Sequence, residues 1–438
     1  ADAFAQSVLA GFKVEAATGN NVLIDLTPLL MTDAHGVASR LKRGKQGSFK
    51  IDPKRSVIHL DRTKNFPKNS EFEALLTFTG ETTASQLRSV TPNTKAFSVR
   101  MHHSFVELPD ANFEPRIYDP RSGYFDMSYA DYATPIDQPL IKRFIRKHRL
   151  AKKDPSKEMS EPVEPIIYYL DRGAPEPIRS ALIEGAQWWN QAFTAAGYKN
   201  AFQVKLLPED ADPLDVRYNV INWVHRSTRG WSYGSSVVDP RTGEIIKGHV
   251  LLGSLRVRQD FLIAQGMVEA YKDGPDADPR LLELALARLR QLSAHEVGHT
   301  IGLAHNFAAS VNDRASVMDY PHPYVLLKDG KVDFSEAYAT GIGEWDKRTI
   351  IYGYSDFNVA KNEEKALQDI LTENELKGFL YVSDPDARAP GTANADGHLW
   401  DNGKTPVEEL NRLKELRAHG MQNFGLNNIA PGAPVSSL

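Results

Sequence analysis

The 438-residue chain contains no cysteine. Disulfides, thiolate metal sites and a cysteine nucleophile are all excluded. It also lacks any run of eighteen apolar residues, so no segment reads as a membrane-spanning helix. Charge of one sign is missing too: 52 Lys and Arg against 56 Asp and Glu leave a net −4, which gives no general attraction to nucleic acid or acidic membranes. The opening residues ADAFAQSVLAG have neither an initiator methionine nor the basic-then-apolar order of a leader. The closing NNIAPGAPVSSL stops in turn-forming residues, and both ends are expected to be truncated.

What is present is enough apolar material for two or three cores, and the pattern is α+β. Residues 12 to 125 run as short alternating segments such as NVLIDL, SFKIDP, EALLTF and AFSVRMHHSFVEL, separated by Asn, Gly, Pro and Asp. These read as strands and turns of a β-rich N-terminal domain at 1–155. The basic run KRFIRKHRLAKKDPSK at 142–157 is expected to be an inter-domain connection. A second domain, 156–358, opens with IIYYLD as a strand, a helix from Pro177 to Ala196, strands in FQVKLLP, VRYNVINWV and GEIIKGHVLLGS, and a helix near Val257 to Tyr271. Asp278 and Pro279 then start a long helix. The piece 359–438 offers one helix, TPVEELNRLKELRAHGMQNF, and no legible chemistry.

The long helix ends in HEVGHTIGLAHN, residues 295–306. His295 and His299 are four apart, so both rings project from one face and can share an ion. Glu296 lies beside them, within reach of a water on that ion, in the H-E-x-x-H arrangement of zinc hydrolases. Gly302 lets the chain stop and reverse, and His305 returns as a third ligand. Three imidazoles leave one position of a tetrahedral ion open, as catalysis requires. His102, His103, His225, His249 and His322 read as ordinary strand or loop histidines.

Met318, in ASVMDYPHP, follows the third histidine closely enough to form a methionine turn beneath the ligands. RIYDPRSGYF, EPIIYYLDRGAPEPIRSALIEGAQWWNQAF, WVHRSTRGWSYGSSVVDPRTGEI, HEVGHTIGLAHN, SVMDYPHP, SDPDARAP and FGLNNI together resemble bacterial zinc-dependent metalloproteases of the Met-zincin type, in the metzincin clan. The resemblance implies a catalytic domain with a twisted mixed sheet, an active-site helix and a Met-turn, preceded by an N-terminal domain of undetermined role. It also implies Zn2+ on His295, His299 and His305, Glu296 as general base and export to the cell envelope. Tyr320 is placed like the tyrosine that astacins and serralysins use to bind the metal and the transition state. Latency by a cysteine switch is ruled out by composition, whereas an aspartate from the first domain remains able to occupy the metal. Asn306 assigns no subfamily.

The expected activity is zinc-dependent endopeptidase chemistry on a protein or peptide bound extended along the strand at 243–254. Two other readings stand beside it: a zinc-stabilised binding or adhesion protein, and a zinc hydrolase of a non-peptide bond.

Overall fold

The computed structural model describes residues 10–82, 84–226, 231–357, 362–392 and 394–438. The expected boundary at residue 358 falls outside those residues. The chain forms two compact units, Ala1–Leu108 with Leu214–Val216, and Pro109–Pro213 with Arg217–Leu438.

The first unit is built on one long strand. β1 (Val14–Thr18) and β2 (Asn21–Ile24) form a hairpin, while β3 (Ser48–Ile51), β4 (Val57–Ile58), β5 (Lys64–Asn65) and β7 (Ala96–Val106) all pair antiparallel with β6 (Asn69–Glu81). Ala74, Leu76 and Phe78 alternate onto one face, where they are fully buried with Met101, Phe49 and Leu87. The opposite face carries Glu71, Glu73 and His102. The β-rich reading holds, with three short helices added at Thr27–Leu30, Val37–Arg43 and Ser85–Val90.

Residues 109–155, grouped by sequence with the first domain, lie in the second unit. The basic run, expected as an inter-domain connection, lies within that unit. Its start forms β9 (Ile141–Ile145), paired with β8 (Asp126–Ala130). Ile145, Lys147 and His148 are buried, and the Lys147 backbone exchanges hydrogen bonds with Gly243 (3.2 Å) and Ile245 (2.8 Å). Arg143, Arg146, Lys147 and Arg149 give the run its charge, while the Phe113 and Tyr354 rings that cover Lys147 come from elsewhere in the chain.

The second unit holds a five-stranded sheet in the order β11-β10-β12-β14-β13. β10 (Ile166–Leu170), β11 (Phe202–Leu206), β12 (Asn219–Val224) and β14 (Ile245–Gly253) run parallel, and β13 (Tyr233–Val238) is antiparallel to β14. This is the expected mixed sheet with one strand more. β14 is hydrogen-bonded on both sides, by β12 and β13. The 243–254 strand, expected to hold an extended peptide, is thus interior to the sheet, and among the described residues the edge strands are β11 and β13. The β13 sequence YGSSVV hid that strand, since Gly and Ser disfavour strands when isolated.

Helices cover the sheet. The expected helix at 177–196 is broken at Trp188 into Ile178–Gln187 and Trp189–Ala195. The motif helix runs from Arg280 to Thr300, and Asp278 accepts the Arg280 backbone N–H at 2.9 Å as its N-terminal anchor. Leu289, Ala294 and Val297 are wholly buried in the same core as Leu182 and Trp189, and two side chains fix the register: Trp189 Nε1 donates to Ala294 O at 2.7 Å and Ser293 Oγ to Leu182 O at 2.8 Å. Beyond residue 358, a helix at Glu363–Leu376 joins the expected one, which spans Pro406–Asn423 and is capped by Thr405. No helix among the described residues is long and apolar enough to cross a membrane.

Candidate metal centre

The motif helix presents His295, Glu296 and His299 from its last turns, all three nearly buried. The chain then turns at Gly302, whose φ of 109° lies where a side chain is strained. A Cβ there would also overlap the Arg146 carbonyl oxygen. His305 comes back, and one nitrogen of each histidine lies within 4.8 Å of the others; among the described residues this is the group able to hold a metal ion. His102, His103, His225, His249 and His322 stand outside it, as expected.

Each ring is fixed through its other nitrogen. His295 Nδ1 meets the Val317 carbonyl at 2.7 Å and His299 Nδ1 the Leu303 carbonyl at 2.8 Å. His305 Nδ1 meets Asp384 Oδ2 at 2.6 Å. All three oxygens can only accept, so every Nδ1 carries the proton and every Nε2 presents a lone pair. His299 Nε2 and His305 Nε2 nevertheless lie 3.1 Å apart. Two lone pairs repel at that distance unless a cation lies between them, and a tetrahedral ion with bonds of about 2.0–2.1 Å separates its nitrogens by roughly 3.3 Å. The residues fit a metal ion.

Electrostatics agree. Burial holds His299 down to about 3 and His295 well below the usual histidine range, with the neighbouring imidazoles adding to the effect. Both stay neutral, as ligands must. Burial pushes the Glu296 carboxyl up to about 7, against the pull of the Arg288 guanidinium and of a hydrogen bond from the Gly234 backbone. That bond comes from β13. Gly234 packs so closely on the motif helix that a Cβ would overlap the Glu296 carbonyl oxygen.

Met318 is 1 % exposed and lies under the helix at Gly298, where a Cβ would collide with its sulfur. The Tyr320 ring lies edge-on to His305 at 4.5 Å and tilted to His295 at 5.3 Å, centroid to centroid. Burial, then the nearby Glu296 carboxylate, raises its phenol to about 12, so it stays a proton donor.

Sequence reasoning missed the groups that hold these residues in place. Asp346 accepts Ser316 Oγ (2.6 Å) and the backbone N–H groups of Val317 (2.8 Å) and Gly343 (3.0 Å), which pins the methionine turn. Gln291 Nε2 donates to Val317 O at 3.1 Å. Asn306, mute in the sequence, ties the C-terminal segment to the centre: its Nδ2 donates to Leu380 O and its Oδ1 accepts Val382 N–H. Trp400, at φ 63°, donates its backbone N–H to Tyr320 O (2.9 Å) and stacks on the Tyr320 ring at 5.1 Å. The one signal available was SDPDARAP, a helix-start pattern with no apolar helix behind it.

Comparison with known proteins follows the geometry. Residues 277–438 match the family model described as Met-zincin, and residues 1–153 match a domain of unknown function. No curated protein matches the chain. Among solved structures, archaemetzincin from Methanopyrus kandleri is similar at 16 % identity and a TM-score of 0.20, over 48 % of this chain and 96 % of that one. The match to the Met-zincin model spans the motif helix, the third-ligand turn, the methionine turn and the C-terminal segment alike, and it follows the stretch that matches a domain of unknown function.

Proposed function

We propose that the second unit is a zinc-dependent endopeptidase. The observation that carries this reading is the convergence of three Nε2 lone pairs beside one buried carboxyl with a raised pKa. A zinc ion on His295, His299 and His305 would supply Lewis acidity, acidifying water and polarising a carbonyl. Glu296 takes the proton of the attacking water and returns it to the leaving amine; a carboxyl poised near neutrality can do both. The Gly234 N–H holds that carboxylate toward the cleft. The Tyr320 hydroxyl donates to the oxygen that becomes negative.

Substrate selection falls to β13. Its outer edge has no strand partner among the described residues, and it leads directly over Glu296 through Gly234. An extended peptide adding to that edge brings a backbone carbonyl to the metal centre. Strand addition favours a polypeptide over a non-peptide ester or amide. A binding or adhesion role makes no use of Glu296, which this centre keeps buried and oriented. Incubation with an unbiased peptide library tests the proposal: the wild-type chain cleaves internal bonds and Glu296→Ala does not. Equal cleavage by both, or none by either with zinc bound, rejects it.

A further inference from the structure

The three ligand histidines are oriented unequally. Val317 and Leu303, which serve His295 and His299, are neutral carbonyls from the motif helix's own surroundings. The partner of His305 is an ionised side chain 79 residues downstream. Asp384 stands at the start of a short turn of helix, Asp384–Ala387. Its Oδ2 receives the His305 Nδ1–H at 2.6 Å, and Arg388 Nη1 reaches its second oxygen at 3.2 Å. The segment carrying it is fixed to the residues next to the ligand: Phe307 N–H donates to Val382 O at 2.8 Å, and Asn306 brackets Leu380 and Val382. The carboxylate is held where it is by the same short stretch that supplies the ligand.

We propose that Asp384 is a positioning residue of the metal centre, acting through His305 to set metal affinity, and that the C-terminal segment is for this reason part of the centre and no appendage to it. The proposal rests on the reading of the three histidines as metal ligands. An anionic acceptor on Nδ1 raises the electron density at Nε2 and fixes the ring's tautomer and tilt; losing such a partner typically costs ten- to a hundredfold in metal affinity. His305 needs this more than the other two, because it leaves the helix at Gly302 and has no helical backbone to orient it.

The test is the zinc dissociation constant of the full chain, measured by competition with a chromophoric chelator, with the visible spectrum of the Co(II) form as a second readout. Asp384→Ala should weaken zinc ten- to a hundredfold and shift the Co(II) bands. Asp384→Asn keeps an acceptor without the charge and should fall between, with the metal-free chain melting as the wild type does; Asp384→Glu should restore part of the loss. Affinity within twofold of wild type for both Ala and Asn variants overturns the proposal. If the Ala variant fails to fold, the Asn variant decides alone. Peptide cleavage per bound zinc is read separately. A wild type that binds zinc in an Asp384-dependent way but cuts nothing rejects the peptidase reading and leaves this one standing.

Discussion

Asp346 Oδ2 accepts the backbone N–H of Val317 at 2.8 Å, and the carbonyl of that same Val317 fixes the His295 ring at 2.7 Å. The methionine turn therefore does two jobs with one residue, and a carboxylate on the helix Glu344–Tyr354 holds that residue in place.

Replacing Asp346 by Ala strips acceptors from Ser316, Val317 and Gly343 in a fully buried site. Leaving such donors unpaired should cost about 3 kcal/mol or more. Urea unfolding of the metal-free chain measures it, and zinc affinity should fall alongside because His295 loses its fixed carbonyl.

Glu296→Gln should bind zinc as tightly as the wild type and lose at least about a thousandfold in kcat, the scale of removing a positioned proton carrier. Steady-state cleavage of a fluorogenic peptide at saturating zinc reads the loss, and equilibrium dialysis checks the metal.

Tyr320→Phe should leave both folding and zinc content intact while kcat drops roughly tenfold or more, with KM little changed, if its hydroxyl meets the substrate only when charge develops. A loss confined to KM would place the hydroxyl in ground-state binding.

Gly302→Ala and Gly298→Ala separate backbone strain from packing. At Gly302 both the φ of 109° and the Arg146 carbonyl oppose a methyl group, and the centre should fail to form. At Gly298 the obstacle is the Met318 side chain and the Trp189 ring, so a smaller cost of about 1–3 kcal/mol is expected. Pairing it with Met318→Ala should recover part of that cost.

In the first unit, His102 Nε2 and Glu71 Oε2 make a short ion pair. Hydrogen bonding to Glu71 raises His102 above 6.5; Glu71 sits below 4.5, where bonds from His102, Ser104 and Asn69 outweigh burial. The histidine's contribution is complete below 6.5 and fades as pH rises through its folded value. The glutamate's is complete above 4.5 and fades as pH falls through its own. Stability from the pair should thus peak between about 4.5 and 6.5, worth on the order of 1 kcal/mol with a histidine a third exposed to solvent. Unfolding His102→Gln across that range should flatten the peak.

The three-histidine constellation was legible because its spacing is local: helical periodicity alone puts His295 and His299 on one face, and Gly302 and His305 follow within six residues. The parallel strands were legible as apolar runs. What escaped shares one property, distance along the chain. Asp346, Asp384 and Trp400 act on residues they do not neighbour, and Asp384 carries no mark in the sequence of the histidine it meets 79 residues away. β13 escaped for another reason. Its Gly234 lets the strand lie against the motif helix at close range, and that need contradicts the β-branched composition by which strands are recognised. The run at 142–157 misled through charge, since Lys147 is covered by Phe113 and Tyr354 rather than by water.

The order of synthesis gives the C-terminal clasp a further meaning. A ribosome releases the motif helix and its first two ligands long before it reaches Asp384 and Trp400, so the nascent chain carries the whole signature while its third histidine still lacks a carboxylate and Tyr320 its stacking partner. The centre is thereby completed only after residues well beyond the signature have been made.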